Sequence, residues 1–176
     1  MTPNVRILTL IGVLFLATAC QTQSPPPTAS SPETCSVSLL ERGPAGWGPY
    51  GLGRAGPIWF SAFGRVAPGH PAILLPGGGS YDGWKVLIFP DANSSGSVVL
   101  TGVDCASGKP IRFCYGACEF EKRVQMSVEQ LEIDTGRHLD LTGSMVFWGP
   151  GLVRLTVARA GANLGGTVIE VPDVSP

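Results

Sequence analysis

The sequence predicts an all-β domain, and three observations support that prediction. The chain of 176 residues contains 24 glycines and 16 prolines, whereas only 14% of its residues are charged. Short apolar runs recur between these turn-forming residues. No helical periodicity extends beyond about two turns. Short strands separated by turns predict a β-sandwich of about seven to eight strands.

The first element of the chain is a leader. Arg6 precedes an apolar run that begins at Ile7, and small residues then follow up to Cys20. This layout is typical of a secretory signal peptide. A transmembrane helix needs about 20 apolar residues, whereas polar residues begin here at Gln21. We therefore predict that the leader is cleaved and does not span the membrane.

The end of the leader carries a more specific pattern. Ala17-Thr18-Ala19-Cys20 resembles the lipobox of bacterial lipoproteins, with alanine at position 17, where leucine is commoner. The resemblance implies that residues 1–19 are removed and that Cys20 takes a diacylglycerol and becomes the new N-terminus. Several acyl chains hold a protein durably on a bilayer. We therefore expect a lipid-anchored protein on the extracytoplasmic face of a bacterial membrane, and a plain secretory signal is the alternative.

Residues 20–34 are predicted to form a disordered linker, because this stretch is rich in proline and serine and has no large apolar side chain. Residues 35–176 are then long enough for a single domain. The chain has 12 basic and 13 acidic side chains and no basic run. This balance argues against a nucleic-acid partner. No cofactor is predicted.

Four cysteines are left for the domain once Cys20 is assigned to lipid: Cys35, Cys105, Cys114 and Cys118. An even number in an exported chain predicts two disulfides, and three pairings are open. Cys114 and Cys118 can pair only over a tight turn, since extended residues would separate them too far. A four-sulfur zinc site is the alternative, although the usual paired C-x₂-C knuckles are absent.

The candidate strands are short apolar segments between turn residues: Ile58–Phe63, Trp84–Phe89, Ser97–Val103, Ile111–Cys114, Val124–Ile133, Met145–Trp148, Leu152–Val157 and Thr167–Val171. Val153, Leu155 and Val157 alternate with polar residues, as in a half-buried strand. In the segment from position 124 to 133 the apolar residues first occupy even-numbered positions and then, from Leu131, odd-numbered positions. A bulge or break near Glu129-Gln130 is therefore required, or else a helical turn.

Several of these segments resemble a group of bacterial extracytoplasmic proteins without an assigned activity. The matching stretches are Gly56-Pro57-Ile58-Trp59, Lys85-Val86-Leu87-Ile88, the loop Pro90 to Gly96 with the strand after it, Trp148 to Val157, and Val168 to Val171. The resemblance implies an immunoglobulin-like β-sandwich. Leu152 replaces a cysteine of that group, so its disulfides do not transfer to this chain.

Two motifs resemble functional sites only in part. Asp91 to Gly96 has the opening of a calcium loop, but its twelfth position is Gly102, so a polar hairpin turn is predicted. His70 and His138 are the two histidines, and Asp140 is placed to orient His138. The nucleophile motif G-x-S-x-G is absent, so an enzyme is not predicted.

Aromatic side chains provide the binding hypothesis. Trp59, Trp84 and Trp148 lie in or beside candidate strands and are predicted to fill the core. Trp47, Tyr50 and Tyr81 lie in glycine-rich loops, where exposed rings often stack on sugars or partner surfaces. The sequence thus predicts a non-catalytic binding or structural module of the cell envelope. A carbohydrate or peptidoglycan binder using these three rings is the alternative, and a hydrolase using His138 is a less favoured one.

Overall fold

The computed structural model describes residues 35–46, 48–77, 79–81, 83–115, 127–136 and 141–174. Within these ranges every regular element is a β-strand. The strands are β1 Glu41–Arg42, β2 Gly51–Ala55, β3 Ile58–Ser61, β4 Gly79–Ser80, β5 Gly83–Pro90, β6 Ser97–Asp104, β7 Arg112–Tyr115, β8 Gln130–Asp134, β9 Leu141–Val146, β10 Gly151–Arg159 and β11 Ala162–Val171. Across the same ranges, no helix has the length and apolar character needed to cross a bilayer.

The strands form two sheets, and all strand pairs in them are antiparallel. The larger sheet has the order β1-β2-β3-β5-β9-β7, with β4 paired to β5, and the smaller sheet has the order β11-β10-β6-β8. The chain passes between the sheets repeatedly, because β5, β7 and β9 are each followed by a strand of the smaller sheet. The predicted all-β fold is confirmed.

The core lies between the inward faces of the two sheets. Val153, Leu155 and Val157 of β10 are buried, and Trp84 of β5 is fully buried in the same cluster. The Trp84 ring meets the Phe147 ring edge to face, with centroids 6.2 Å apart. The alternation predicted along β10 is therefore confirmed, since residues at every second position enter one apolar cluster.

A second apolar cluster lies on the opposite face of the larger sheet. It consists of Leu52, Trp59 and Phe89, each 4% exposed. Trp59 is the direct cross-strand partner of both Arg54 and Phe89. The guanidinium carbon of Arg54 lies 4.7 Å from the centroid of the Trp59 ring. This face is thus apolar at its centre and charged toward one end.

The predicted break near Glu129-Gln130 is confirmed, and its cause is a change of sheet. Val128 exchanges backbone hydrogen bonds with Phe113 of β7 in the larger sheet, at 2.7 and 2.8 Å. Only two residues later the chain enters β8, which pairs with β6 of the smaller sheet. The two described parts of the segment thus pair in different sheets, and Leu131 and Ile133 of β8 are buried, whereas Val128 is 45% exposed. Residues 124–126 lie outside the described ranges.

The outer edges of the sheets are occupied in several ways. The amide of Ser38 donates to Val168 O at 2.9 Å, and the amide of Leu74 donates to Glu170 O at 2.9 Å. Two other segments of the chain therefore pair with β11. The edge of β7 is paired through Val128. The edge strand β8 exposes three polar side chains, namely Gln130, Glu132 and Asp134.

Several predictions differ from the structure. The strand β9 begins at Leu141 rather than Met145 and ends before Trp148. The predicted core position of Trp148 is wrong, because this side chain is 53% exposed and its ring N–H donates to Pro110 O at 2.8 Å. The strand β2 was not predicted, since Gly51 and Gly53 interrupt any apolar pattern. A Cβ at Gly51 would lie 2.7 Å from Cβ of Leu40, which explains the glycine there.

One disulfide joins Cys35 to Cys105, with Cα atoms 6.2 Å apart. It attaches the beginning of the described chain to the connection between β6 and β7. The Cys105 amide donates to Leu152 O at 2.8 Å, so the bridge lies beside the start of β10. Cys114 is also disulfide-bonded. Oxidised sulfurs do not bind zinc as thiolates, so these cysteines do not form the alternative four-sulfur site. Cys118 lies outside the described residues.

Candidate functional site

A cleft opens at one end of the two sheets, where three connections between strands meet. Its volume is about 650 Å³, within the range that small ligands occupy. It is lined by residues of both sheets: Glu41, Arg54, Gly56, Pro57, Asp91, Asn93, Ser94, Arg159, Leu164, Gly165 and Gly166. We call this site the end cleft.

The end cleft has two walls that belong to different sheets. The first wall is formed by β1, by the turn between β2 and β3, and by the connection Asp91–Gly96. The second wall is formed by the end of β10 and the start of β11, including Arg159 and Leu164. Glu41 is the more exposed carboxylate of the lining, and Arg159 is the more exposed guanidinium. They lie on different walls.

The walls meet through backbone contacts that only glycine permits. A Cβ at Gly165 would lie 2.8 Å from the Gly56 nitrogen, and a Cβ at Gly56 would lie 3.0 Å from Leu164 O. Gly56 has a φ of 54° and Gly165 a φ of 142°, values that L side chains rarely adopt. The floor of the end cleft is therefore bare backbone, which fixes the spacing of the walls.

Arg54 organises the first wall by contacting three segments. Its Nε donates to Gly56 O at 2.9 Å. Its two terminal nitrogens form ion pairs with Glu41 at 3.5 Å and with Asp91 at 3.6 Å. Its planar guanidinium also lies over the Trp59 ring, in cation–π range. The side chain thus links β1, the β2–β3 turn and the Asp91 connection.

The segment Asp91 to Gly96 forms a polar turn, as predicted. The Asn93 amide donates to Asp91 Oδ1 at 3.1 Å, and the Ser94 amide donates to Asp91 O at 2.9 Å. The prediction of a hairpin is wrong, because the strands on either side, β5 and β6, lie in different sheets. The turn therefore crosses between layers and closes the end of the core.

Arg159 is the principal charge of the second wall. It is exposed on the last position of β10, and among the described residues no ion pair or hydrogen bond engages its side chain. A guanidinium presents a planar set of donors that matches a carboxylate or a phosphate. The end cleft therefore offers an anion-binding group that the protein itself does not neutralise within the described ranges.

The site residues predicted from the sequence lie elsewhere. Tyr50 is 37% exposed and has the Arg65 guanidinium 6.0 Å from its ring centroid. The Tyr81 hydroxyl donates to Asp173 at 3.2 Å and accepts from the Val174 amide, so it fixes the C-terminal segment. His70 is exposed in a loop. None of these three lines the end cleft.

Other predicted residues fall outside the described ranges, namely Cys20, Trp47, Cys118, His138 and Asp140. The alternative of a glycan binder that uses Trp47, Tyr50 and Tyr81 stays a prediction. Sequence reasoning missed Arg54 and Arg159. Each is followed by alanine and a turn glycine, Ala55-Gly56 and Ala160-Gly161, and an arginine at such a strand end is the signal that would have indicated them.

Comparisons with protein-family models, with curated proteins and with solved structures find no match for this chain.

Arg54→Met is expected to lower the free energy of unfolding by about 1–2 kcal/mol, because the variant loses the bond to Gly56 O and both ion pairs but retains an apolar stem over Trp59. Urea denaturation followed by circular dichroism measures the change. Arg42→Met is the control, since Arg42 is exposed on β1 and outside the end cleft. Equal losses in the two variants would show that Arg54 does not organise the wall.

Proposed function

We propose that this chain is a lipid-anchored extracytoplasmic lipoprotein whose immunoglobulin-like β-sandwich is a non-catalytic binding module. In this proposal Cys20 carries the lipid, residues 20–34 form the tether, and the end cleft is the binding site. Two stacked antiparallel sheets with a binding site formed by end connections support an immunoglobulin-like arrangement. The resemblance of the strand and turn segments supports it as well.

The position of the Cys35–Cys105 disulfide carries the functional proposal. The bridge lies beside Leu152 near the start of β10, whereas Arg159 of the end cleft is the last residue of that strand. The strand rises about 3.3 Å per residue, so the seven positions between Leu152 and Arg159 span roughly 23 Å. Cys35, to which the proposed tether is joined, therefore lies at the end of the domain opposite the cleft.

This arrangement has a direct consequence for an anchored protein. Because the proposed tether attaches at Cys35, its attachment point does not obstruct the end cleft. A site at that end is accessible to envelope components, and the proline-rich tether increases its reach. An envelope protein, a glycan or a soluble ligand is therefore the proposed kind of partner.

The chemistry of the end cleft favours binding over catalysis. Its charged groups are two carboxylates, one guanidinium that joins them, and a second guanidinium. The hydroxyl of Ser94 donates to the Asp91 carbonyl at 2.7 Å rather than to a base. Among the described lining residues there is no imidazole or thiol to act as base or nucleophile.

Intact mass of the mature protein tests the proposal. Expression of the full chain in a bacterium that processes lipoproteins is expected to give membrane-bound material that begins at Cys20. Its mass should include acyl chains and lack four hydrogens for two disulfides. Cys20→Ser is the control and should leave soluble or unprocessed chain. Wild-type protein that is secreted without lipid, or retained as full-length reduced chain, would overturn the proposal.

A further inference from the structure

We infer that the end cleft binds a zwitterionic ligand, which places an ammonium group against the first wall and a carboxylate on Arg159. This inference rests on the proposed binding function and names the chemical class of the ligand. A free amino acid or a short peptide with both termini unblocked has this chemistry. The argument depends on how charge is distributed between the two walls.

The first wall has an excess of negative charge. Glu41 and Asp91 both face Arg54, so two carboxylates share one guanidinium. Their oxygens are 3.5 and 3.6 Å from its nitrogens, which are distances of ion pairs rather than of good hydrogen bonds. Both carboxylates therefore keep acceptor positions for a further donor. The side chain of Glu41 is 54% exposed and can turn toward a ligand.

An ammonium group fits this wall better than a neutral donor. It provides three hydrogen-bond donors and compensates the negative charge that Arg54 does not balance. Asp91 is held in place, since its Oδ1 accepts the Asn93 amide and its own amide donates to Pro57 O at 2.7 Å. Its other oxygen, Oδ2, is the atom that faces Arg54 and the end cleft. The acceptor is thus preorganised before a ligand arrives.

The second wall has the opposite charge. Arg159 is without a described ion-pair partner, and its neighbours on this wall are Leu164, Gly165 and Gly166. No carboxylate lies among these wall residues to compete for the guanidinium. A ligand carboxylate can form two parallel hydrogen bonds with such a group. The open volume of about 650 Å³ leaves room for the ligand backbone between the walls.

Ligands with a single charge satisfy only one wall. An anion would pair with Arg159 but would lie close to Glu41 and Asp91, and a cation would leave Arg159 unused. A purely apolar ligand finds little surface, since Pro57 and Leu164 are the apolar side chains of the lining. The opposite charges of the walls therefore favour a ligand that carries both signs within one short span.

Four versions of tri-alanine test the inference, namely the free peptide, the N-acetyl peptide, the C-terminal amide and the doubly blocked peptide. Each is titrated into the full mature chain in a non-ionic detergent, with binding measured by calorimetry. The free peptide is expected to bind most tightly, and blocking either terminus should weaken binding by about three- to tenfold. The affinity of the free peptide should fall as salt is raised, because the end cleft is open.

Variants assign the two ends of the ligand. The Arg159→Gln variant should bind the free peptide and the C-terminal amide with equal affinity. In the Glu41→Gln variant, the difference in affinity between the free peptide and the N-acetyl peptide should become smaller. Lys109→Gln and Glu132→Gln are the matched controls, since each removes an exposed charge outside the end cleft. They should bind all four peptides as the wild-type protein does.

Two results would overturn the inference: equal binding of all four peptides, or no binding of the free peptide up to about 10 mM. Dependence on one terminus alone would also overturn it, because the ligand would then need only one charge. These outcomes are separate from the test of the anchor. A correctly acylated protein that ignores the peptides would refute the zwitterionic ligand and leave the lipoprotein proposal intact.

Discussion

Replacing Trp84 with alanine is expected to lower the free energy of unfolding by about 3–5 kcal/mol. Trp84 is completely buried between the sheets, and its ring contacts Phe147 edge to face. Removing it creates a large cavity where two layers meet, and the rigid surroundings fill such a cavity only in part. Since typical domains are stable by about 5–15 kcal/mol, this loss is a large fraction of the total. Urea denaturation measures it.

Trp148→Ala is the matched control for this experiment. It removes the same side chain from a position that is 53% exposed and loses one hydrogen bond to Pro110. Its cost should be about 1 kcal/mol, well below that of Trp84→Ala. If both variants lost the same stability, the assignment of Trp84 to the core and of Trp148 to the surface would be wrong.

Removing the Cys35–Cys105 disulfide is expected to have a comparable effect. The bridged residues are 70 positions apart in the sequence, and a loop of that length gives about 4 kcal/mol in the chain-entropy treatment of the unfolded state. The double variant Cys35→Ser/Cys105→Ser avoids an unpaired thiol. Its unfolding midpoint in urea should fall strongly while the far-ultraviolet circular dichroism of the folded state is retained.

The control for the disulfide variant lies in the same connection. Ser107→Ala removes the 2.6 Å hydrogen bond from the Ser107 hydroxyl to Asp104 and leaves the bridge intact. A loss of about 1 kcal/mol or less is expected, because the bond is exposed. A double variant as stable as this control would mean that the disulfide does not hold the start of the domain.

The sequence predicts the class of fold well, because alternation of apolar and polar residues depends directly on burial of one strand face. The residues Val153 to Val157 show this pattern and form the centre of β10. The change in the positions of the apolar residues before Leu131 also predicted the break that separates Val128, paired with β7, from β8. Neither observation reveals which strands are neighbours. Pairing depends on contacts between residues distant in the chain, so the assignment of β5 and β6 to different sheets came from the structure alone.

The positions that sequence reasoning missed share a cause. The strand β2 has glycine at positions 51 and 53, where neighbouring side chains occupy the space that a Cβ would need. Trp148 lies next to an apolar strand end, but its exposure depends on how the connection after β9 folds back. The end cleft was missed for the same reason, because Arg54 and Arg159 are more than a hundred positions apart. Their relation is created only when the two sheets close on each other.

The way in which the sheet edges are finished has a consequence for association between copies of the protein. Where copies of a protein are concentrated, bare backbone groups at a sheet edge would allow one copy to extend the sheet of the next. Here β11 is paired with segments of its own chain, β7 is paired through Val128, and β8 carries Glu132 and Asp134. These three edges are therefore protected against edge-to-edge pairing with another copy.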